Sequence, residues 1–246
     1  MPFFDHVAAL VMSTVGNKVG PVAWHRPACL DQLWDELASL GLASVAVTHP
    51  SIGSTSQLPR TMEDDRANLH AVIEKPADDG HLVTAIAHSY GDVVSSGAAQ
   101  GLEVAERRVA GKTGGNIEIV YLAAFAVSAG MSVLTCFRGV VPLFWESKDV
   151  QDYWISQLLS TTTKSFKVLN TYIPWEDILC TYIHAEQDRA LPLEIQKAMA
   201  AAMGPITTGT ANSFHSPFLS MPRDVAVWAQ ESVRESLKKA VGTTVV

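Results

Sequence analysis

A chain of 246 residues, 48% of them hydrophobic, can bury one good core but not two comfortable ones. Its 18 Lys and Arg against 25 Asp and Glu give a net charge of −7 with no basic run, which removes the electrostatic basis for binding nucleic acid or an anionic membrane and leaves a small-molecule substrate as the expected partner. Three cysteines, Cys29, Cys136 and Cys180, are odd in number and lack metal-ligand spacing; with no basic leader and no apolar run of roughly eighteen residues, they predict a cytoplasmic protein. The eight histidines are scattered without ligand spacing, so no metal or other cofactor is expected, and the oligomeric state is left as monomer or homodimer.

Val7 to Val15, Ser44 to Thr48 and Leu82 to Ala87 are short apolar runs rich in β-branched residues, the pattern of strands buried on both faces. Between them, Cys29 to Leu40 carries Leu30, Leu33, Trp34 and Leu37 at spacings of three and four and stops at Gly41, which predicts an amphipathic helix. Thr61 to Lys75 predicts another, with Thr61 and Asp64 set close to a capping box. Asp92 to Glu106 reads as a helix of small residues and Ile117 to Ala124 as the next strand. Ile178 to His184 and Ile206 to Thr210 complete the strands, with Leu193 to Met203 and Pro217 to Val241 as helices. This alternation predicts a single α/β domain over residues 1–246, with a mostly parallel central sheet covered by helices on both faces. Met131 to Ile173 interrupts it. Phe137, Leu143, Phe144, Trp145, Tyr153, Trp154 and Phe166 are more apolar bulk than a solvent loop carries, so the segment is expected to be a lid over an apolar pocket; a helical pair completing the core is the alternative.

The chemistry begins at Ala87-His88-Ser89-Tyr90-Gly91, where a strand breaks into a helix at a serine with small residues two positions away on each side. That is the pattern of a nucleophile elbow, whose serine takes a strained conformation that larger neighbours would block. In such sites an acid and then a histidine follow in the chain. His215, in the loop after Ile206 to Thr210, is the candidate base, and Asp188, at the end of the preceding strand, the candidate orienting acid. Glu186 competes with it, and capping the next helix is the alternative role for Asp188. The developing oxyanion needs amide donors: Tyr90, directly after the serine, is one, and Ala23, between the first strand and first helix, is expected to supply the other. His88 is expected to point into the protein as a hydrogen-bonding group, and His184 is a further candidate for the pocket wall.

Six ordered motifs, Pro21-Val22-Ala23-Trp24-His25-Arg26-Pro27, Pro50-Ser51-Ile52-Gly53, His88-Ser89-Tyr90-Gly91, Tyr121-Leu122-Ala123-Ala124-Phe125, Glu186 to Pro192 and His215-Ser216-Pro217-Phe218, span nearly the whole chain. Through them it resembles the α/β-hydrolase superfamily, and within it the small single-domain esterases similar to plant methylesterases and hydroxynitrile lyases and their fungal and bacterial relatives. The resemblance implies an α/β-hydrolase fold with a helical lid insertion at about 131–173. It further implies a triad of Ser89, Asp188 and His215, an oxyanion hole at Ala23 and Tyr90, and substrate contacts from Trp24, His25, Phe125, Phe137, Trp145 and Trp154. The implied activity is hydrolysis of a small, largely apolar ester or lactone through an acyl-enzyme on Ser89. A lyase or cyclisation catalyst of secondary metabolism, with His215 as base, is the alternative, and a ligand receptor a weaker third. Two positions depart from the relatives, which carry glycine at both: Val22 in the oxyanion loop and Asp92 after the elbow. Asp92 is expected either to stabilise a helix N-terminus or to act electrostatically, raising the pKa of His215 or repelling anionic substrates.

Overall fold

The computed structural model describes residues 7–13, 27–52, 60–136 and 164–242. Strands β1 (Val7–Ser13), β2 (Ser44–Val47), β3 (Leu82–His88), β4 (Gly115–Leu122), β5 (Leu179–Ala185) and β6 (Thr207–Ala211) form one sheet in the order β2-β1-β3-β4-β5-β6. Each overlaps a strand expected from the apolar runs, and all five neighbouring pairs are parallel. Parallel neighbours cannot be joined by hairpins, so the connections must cross the faces of the sheet. The chain adds β2 on one side of β1 and β3 on the other, and such a reversal opens a crevice at the carboxyl ends of the strands. Ser89 follows β3 at that rim.

Every residue of β3 and β4 is buried; β3 accordingly reads as a nearly continuous apolar run, while β4 also buries the polar Asn116 and Glu118. On one face, Leu33 and Leu37 of α1 (Asp31–Ser39) and Val225, Ala229 and Val233 of α8 (Pro222–Gly242) pack with Leu82, Ile86, Val120 and Leu122. On the other, Leu69 and Ile73 of α2 (Met62–Asp78) and Val93, Val94 and Ala98 of α3 (Gly91–Ala99) pack with Val83. Each such aliphatic side chain contributes roughly 1.5–3 kcal/mol by leaving water. Thr61 starts α2 with a reciprocal capping box, its amide donating to Asp64 Oδ2 at 2.8 Å. Arg66 of α2 crosses α3 at Gly97, where a Cβ would lie 2.5 Å from the guanidinium Nε, and donates to Asn170 Oδ1 at 3.2 Å.

Two expected helices are each broken in two. The helix expected from Asp92 to Glu106 ends at Ala99; Gly101 takes a left-handed φ of +78°, Glu103 bridges to Asn116 of the sheet, and α4 (Val104–Val109) begins afresh. The helix expected from Pro217 to Val241 is interrupted at Met221, with φ −144° and ψ 55°, between α7 (Pro217–Ser220) and α8. Pro222 explains this break, because a proline drives the residue before it out of the helical region. Of the candidate lid, residues 137–163 lie outside the described residues. Its flanks meet: the Gly130 amide donates to the Asn170 carbonyl at 2.8 Å and the Asn170 amide to the Met131 carbonyl at 2.7 Å, beside α5 (Val133–Cys136). The three cysteines are free; Cys29 and Cys180 are buried, and burial pushes both thiols up. Among the described residues no helix is long and apolar enough to cross a membrane.

Candidate active site

Ser89 leaves β3 with φ +53°, the left-handed conformation that L residues seldom adopt outside strained turns. Such strain costs on the order of 1–3 kcal/mol and persists only where the surroundings hold it. Here the Ser89 carbonyl accepts from the Asp92 and Phe125 amides, both at 3.3 Å, which ties the turn to α3 and to the segment leaving β4. The hydroxyl is thereby held up at the strand end, with Ser89 itself only 1% exposed.

The acid and the base come from the loops after β5 and β6, which are neighbours in the sheet. Backbone bonds from Glu186 to Ala211 and from Gln187 to Ser213, both 2.9 Å, carry that pairing past the strand ends. His215 Nδ1 lies 2.7 Å from Asp188 Oδ2, and His215 Nε2 lies 3.0 Å from Ser89 Oγ. Nδ1 donates to the carboxylate in this arrangement, which leaves the Nε2 lone pair facing the serine hydroxyl. The three expected residues therefore form one unbroken hydrogen-bond chain. Glu186, the competing carboxylate, is exposed.

Asp188 receives four donors. Oδ1 accepts from the Ala190 and Leu191 amides at 2.8 and 2.9 Å, and Oδ2 accepts from Gln196 at 3.2 Å as well as from His215. It is not the cap of α6 (Leu193–Ala202), whose N-cap is Pro192. Gln196 is fully buried; it also pairs with both backbone groups of Ala185 at 2.9 and 3.1 Å, so it fixes the carboxylate to the end of β5. Sequence reasoning missed Gln196, which reads only as a polar residue in an amphipathic helix. His88, expected to point inward, donates from Nε2 to the His215 carbonyl at 2.7 Å and packs edge-on against Phe218, tethering the histidine loop to β3.

Asp92 lies in the first turn of α3. It is fully buried, and neither carboxylate oxygen has a hydrogen-bond partner among the described residues. Burial, with no donor among the described residues to offset it, raises its pKa well above the ordinary carboxyl range, so its environment disfavours the charged form on which an electrostatic role would depend. Phe125 stands beside Ser89 through its amide, but its side chain is closed into the core with Tyr90 and Leu191. His184 stacks on Tyr182 at 4.6 Å, and burial lowers its pKa. Ala23, Trp24, His25, Phe137, Trp145 and Trp154, together with the departure at Val22, lie outside the described residues. A cavity of about 700 Å³ between β5, β6 and α8, lined by Glu118, Trp175 and Trp228, includes none of the three hydrogen-bonded residues. Among the described residues no three His, Cys, Asp or Glu side chains are grouped to hold a metal ion.

A model of the alpha/beta hydrolase family matches residues 19–228. The chain belongs to that family. This alpha/beta hydrolase is 27% identical over 243 residues to alpha/beta hydrolase nvfD of Aspergillus novofumigatus, a match covering 89% of this chain and 96% of the fungal protein. Among solved structures it resembles a pyrethroid hydrolase from Sphingobium faniae (16% identity, 92% of this chain and 96% of that one, TM-score 0.66). It also resembles polyneuridine aldehyde esterase (16%, 92% and 99%, TM-score 0.67) and a methylesterase from Arabidopsis (19%, 93% and 99%, TM-score 0.66). At such identities these structures speak for the α/β-hydrolase fold.

Proposed function

We propose that the protein is a serine hydrolase that cleaves a small, largely apolar ester or lactone through an acyl-enzyme on Ser89. The single observation that carries this reading is the chain from Ser89 Oγ through His215 to Asp188, at 3.0 and 2.7 Å, starting from a serine in a left-handed turn. In this mechanism His215 Nε2 removes the hydroxyl proton as Ser89 Oγ bonds to the carbonyl carbon. The imidazolium so formed is stabilised by Asp188 and protonates the leaving alcohol. Water, deprotonated by the same nitrogen, then releases the acid. The amide of Tyr90 serves as one oxyanion donor; no described residue accepts a hydrogen bond from it. Esterase and hydrolase names among the similar structures support an ester substrate.

The test is turnover of p-nitrophenyl esters of increasing acyl length together with labelling by a fluorophosphonate. Wild type should turn over and take the label at Ser89, and Ser89→Ala and His215→Ala should each lose several orders of magnitude in rate. Full turnover by Ser89→Ala on the same ester sinks the covalent mechanism.

A further inference from the structure

One buried acid lies outside the hydrogen-bond chain yet touches the residue next to the nucleophile. Asp65, in the first turn of α2, is 0% exposed and accepts three hydrogen bonds. Oδ1 takes the Ser51 amide at 2.8 Å, while Oδ2 takes the Ser51 hydroxyl at 2.6 Å and the Tyr90 hydroxyl at 3.0 Å. Ser51 lies in the loop after β2, Tyr90 in the elbow and Asp65 itself in α2, so one carboxylate joins three segments. Tyr90 is 1% exposed, its ring packed at 5.2 Å from Phe166 and edge-on to His49 at 6.3 Å. His49 supplies no charge there, because full burial pushes its pKa down to about 3.

Resting on the hydrolytic reading above, we propose that Asp65 is a positioning residue for the oxyanion site: through the Tyr90 hydroxyl it fixes the residue whose amide meets the developing negative charge. Tyr90 sits between the left-handed Ser89 and the first turn of α3, with helical angles of −59° and −31°. Its amide direction depends on where its own ring is anchored as well as on the strained residue before it. An oxyanion donor acts by being in place before charge appears, and a misplacement of about 1 Å costs roughly a hundredfold in rate. A phenol held by a carboxylate is a charge-assisted anchor, stronger and shorter-ranged than apolar packing alone. The group is an expensive one for a purely structural tie: burial raises Asp65 to about 6 even against its three donors.

Tyr90→Phe is the decisive variant, because it keeps the ring and leaves Asp65 both of its Ser51 donors. Asp65→Asn and the double variant accompany it. Steady-state kinetics on a p-nitrophenyl ester are read beside inhibition by an alkyl trifluoromethyl ketone, whose tetrahedral adduct carries the same oxyanion. Tyr90→Phe should lower kcat roughly ten- to a hundredfold with KM within about twofold of wild type, and weaken ketone inhibition by a similar factor. The double variant should be no slower than Asp65→Asn, since both changes break one link. Tyr90→Phe with wild-type kcat and wild-type ketone affinity overturns the positioning role, whatever happens to its Tm. A wild type that takes no fluorophosphonate label overturns the hydrolytic reading first, and this role with it.

Discussion

Two aspartates sit close to Ser89, both buried, and they have opposite surroundings. Asp188, at the rim beyond β5, gathers four donors from two amides, Gln196 and His215. Asp92, behind the elbow on α3, gathers none among the described residues and lies among Tyr121, Tyr182 and Cys180. Burial alone therefore does not decide what a carboxyl does. The donors that meet it do, because a charge removed from water is tolerated only where hydrogen bonds replace hydration. At the rim, strand ends and loop turns expose unpaired amides that can be aimed at a carboxylate. Behind the elbow the Asp92 amide is spent on the Ser89 carbonyl, and Tyr121, Tyr182 and Cys180 stand around the carboxyl without donating to it.

The sharpest way to break this contrast is Asp188→Asn, which preserves shape but removes the acceptor that sets the His215 tautomer. Ester turnover should fall on the order of 10⁴-fold with the fold intact. Next in size, Gln196→Ala strips one donor from Asp188 and removes the acceptor of the Ala185 amide. Unfolding in urea should show a loss of about 1.5–3 kcal/mol, with a smaller loss of kcat than Asp188→Asn. Asp92→Leu should do the reverse, raising stability by roughly 1–3 kcal/mol at pH 8 because it removes an unsatisfied buried polar group of similar size. The sign of its pH dependence follows from a folded pKa above the unfolded one. Wild type keeps the full contribution of Asp92 below its ordinary pKa and loses it as pH rises towards the raised value, so thermal melts should show the Asp92→Leu advantage shrinking towards about pH 4. Asp92→Gly should leave selectivity between anionic and neutral esters unchanged, because burial disfavours the charged form of Asp92; a shift towards anionic substrates would contradict this.

Asp64 supplies the ordinary case. It is half-buried, and the Thr61 amide, then Arg60, holds its carboxyl below the usual range. Thr61→Ala should cost only about 0.5–2 kcal/mol and leave ester turnover unaltered. Because the folded pKa of Asp64 is depressed, its own contribution is present above the ordinary carboxylate range and fades as pH falls through the depressed value, which melts of Asp64→Ala against wild type would record.

Much of this was legible in the residues themselves. The six strands announced themselves as runs rich in β-branched residues, and the central β3, buried on both faces, shows no polar side. The elbow was visible because its backbone geometry tolerates only small neighbours, and the order of serine, acid and histidine followed from the succession of strand ends. The breaks at Gly101 and before Pro222 were also written in the sequence, though an apolar period running through them conceals the stop. What no local pattern carried was partnership at a distance. Gln196 reaches Asp188 across 8 residues, Tyr90 reaches Asp65 across 25, and His88 holds the His215 carbonyl across 127. Periodicity records which side of an element is hidden, whereas hydrogen-bond donors converge only once strands far apart in the chain lie side by side. That is why the sequence alone could nominate Asp188, Glu186 and Asp92 as carboxylates of interest, and why packing had to assign one to the imidazole, one to solvent and one to an interior without donors among the described residues.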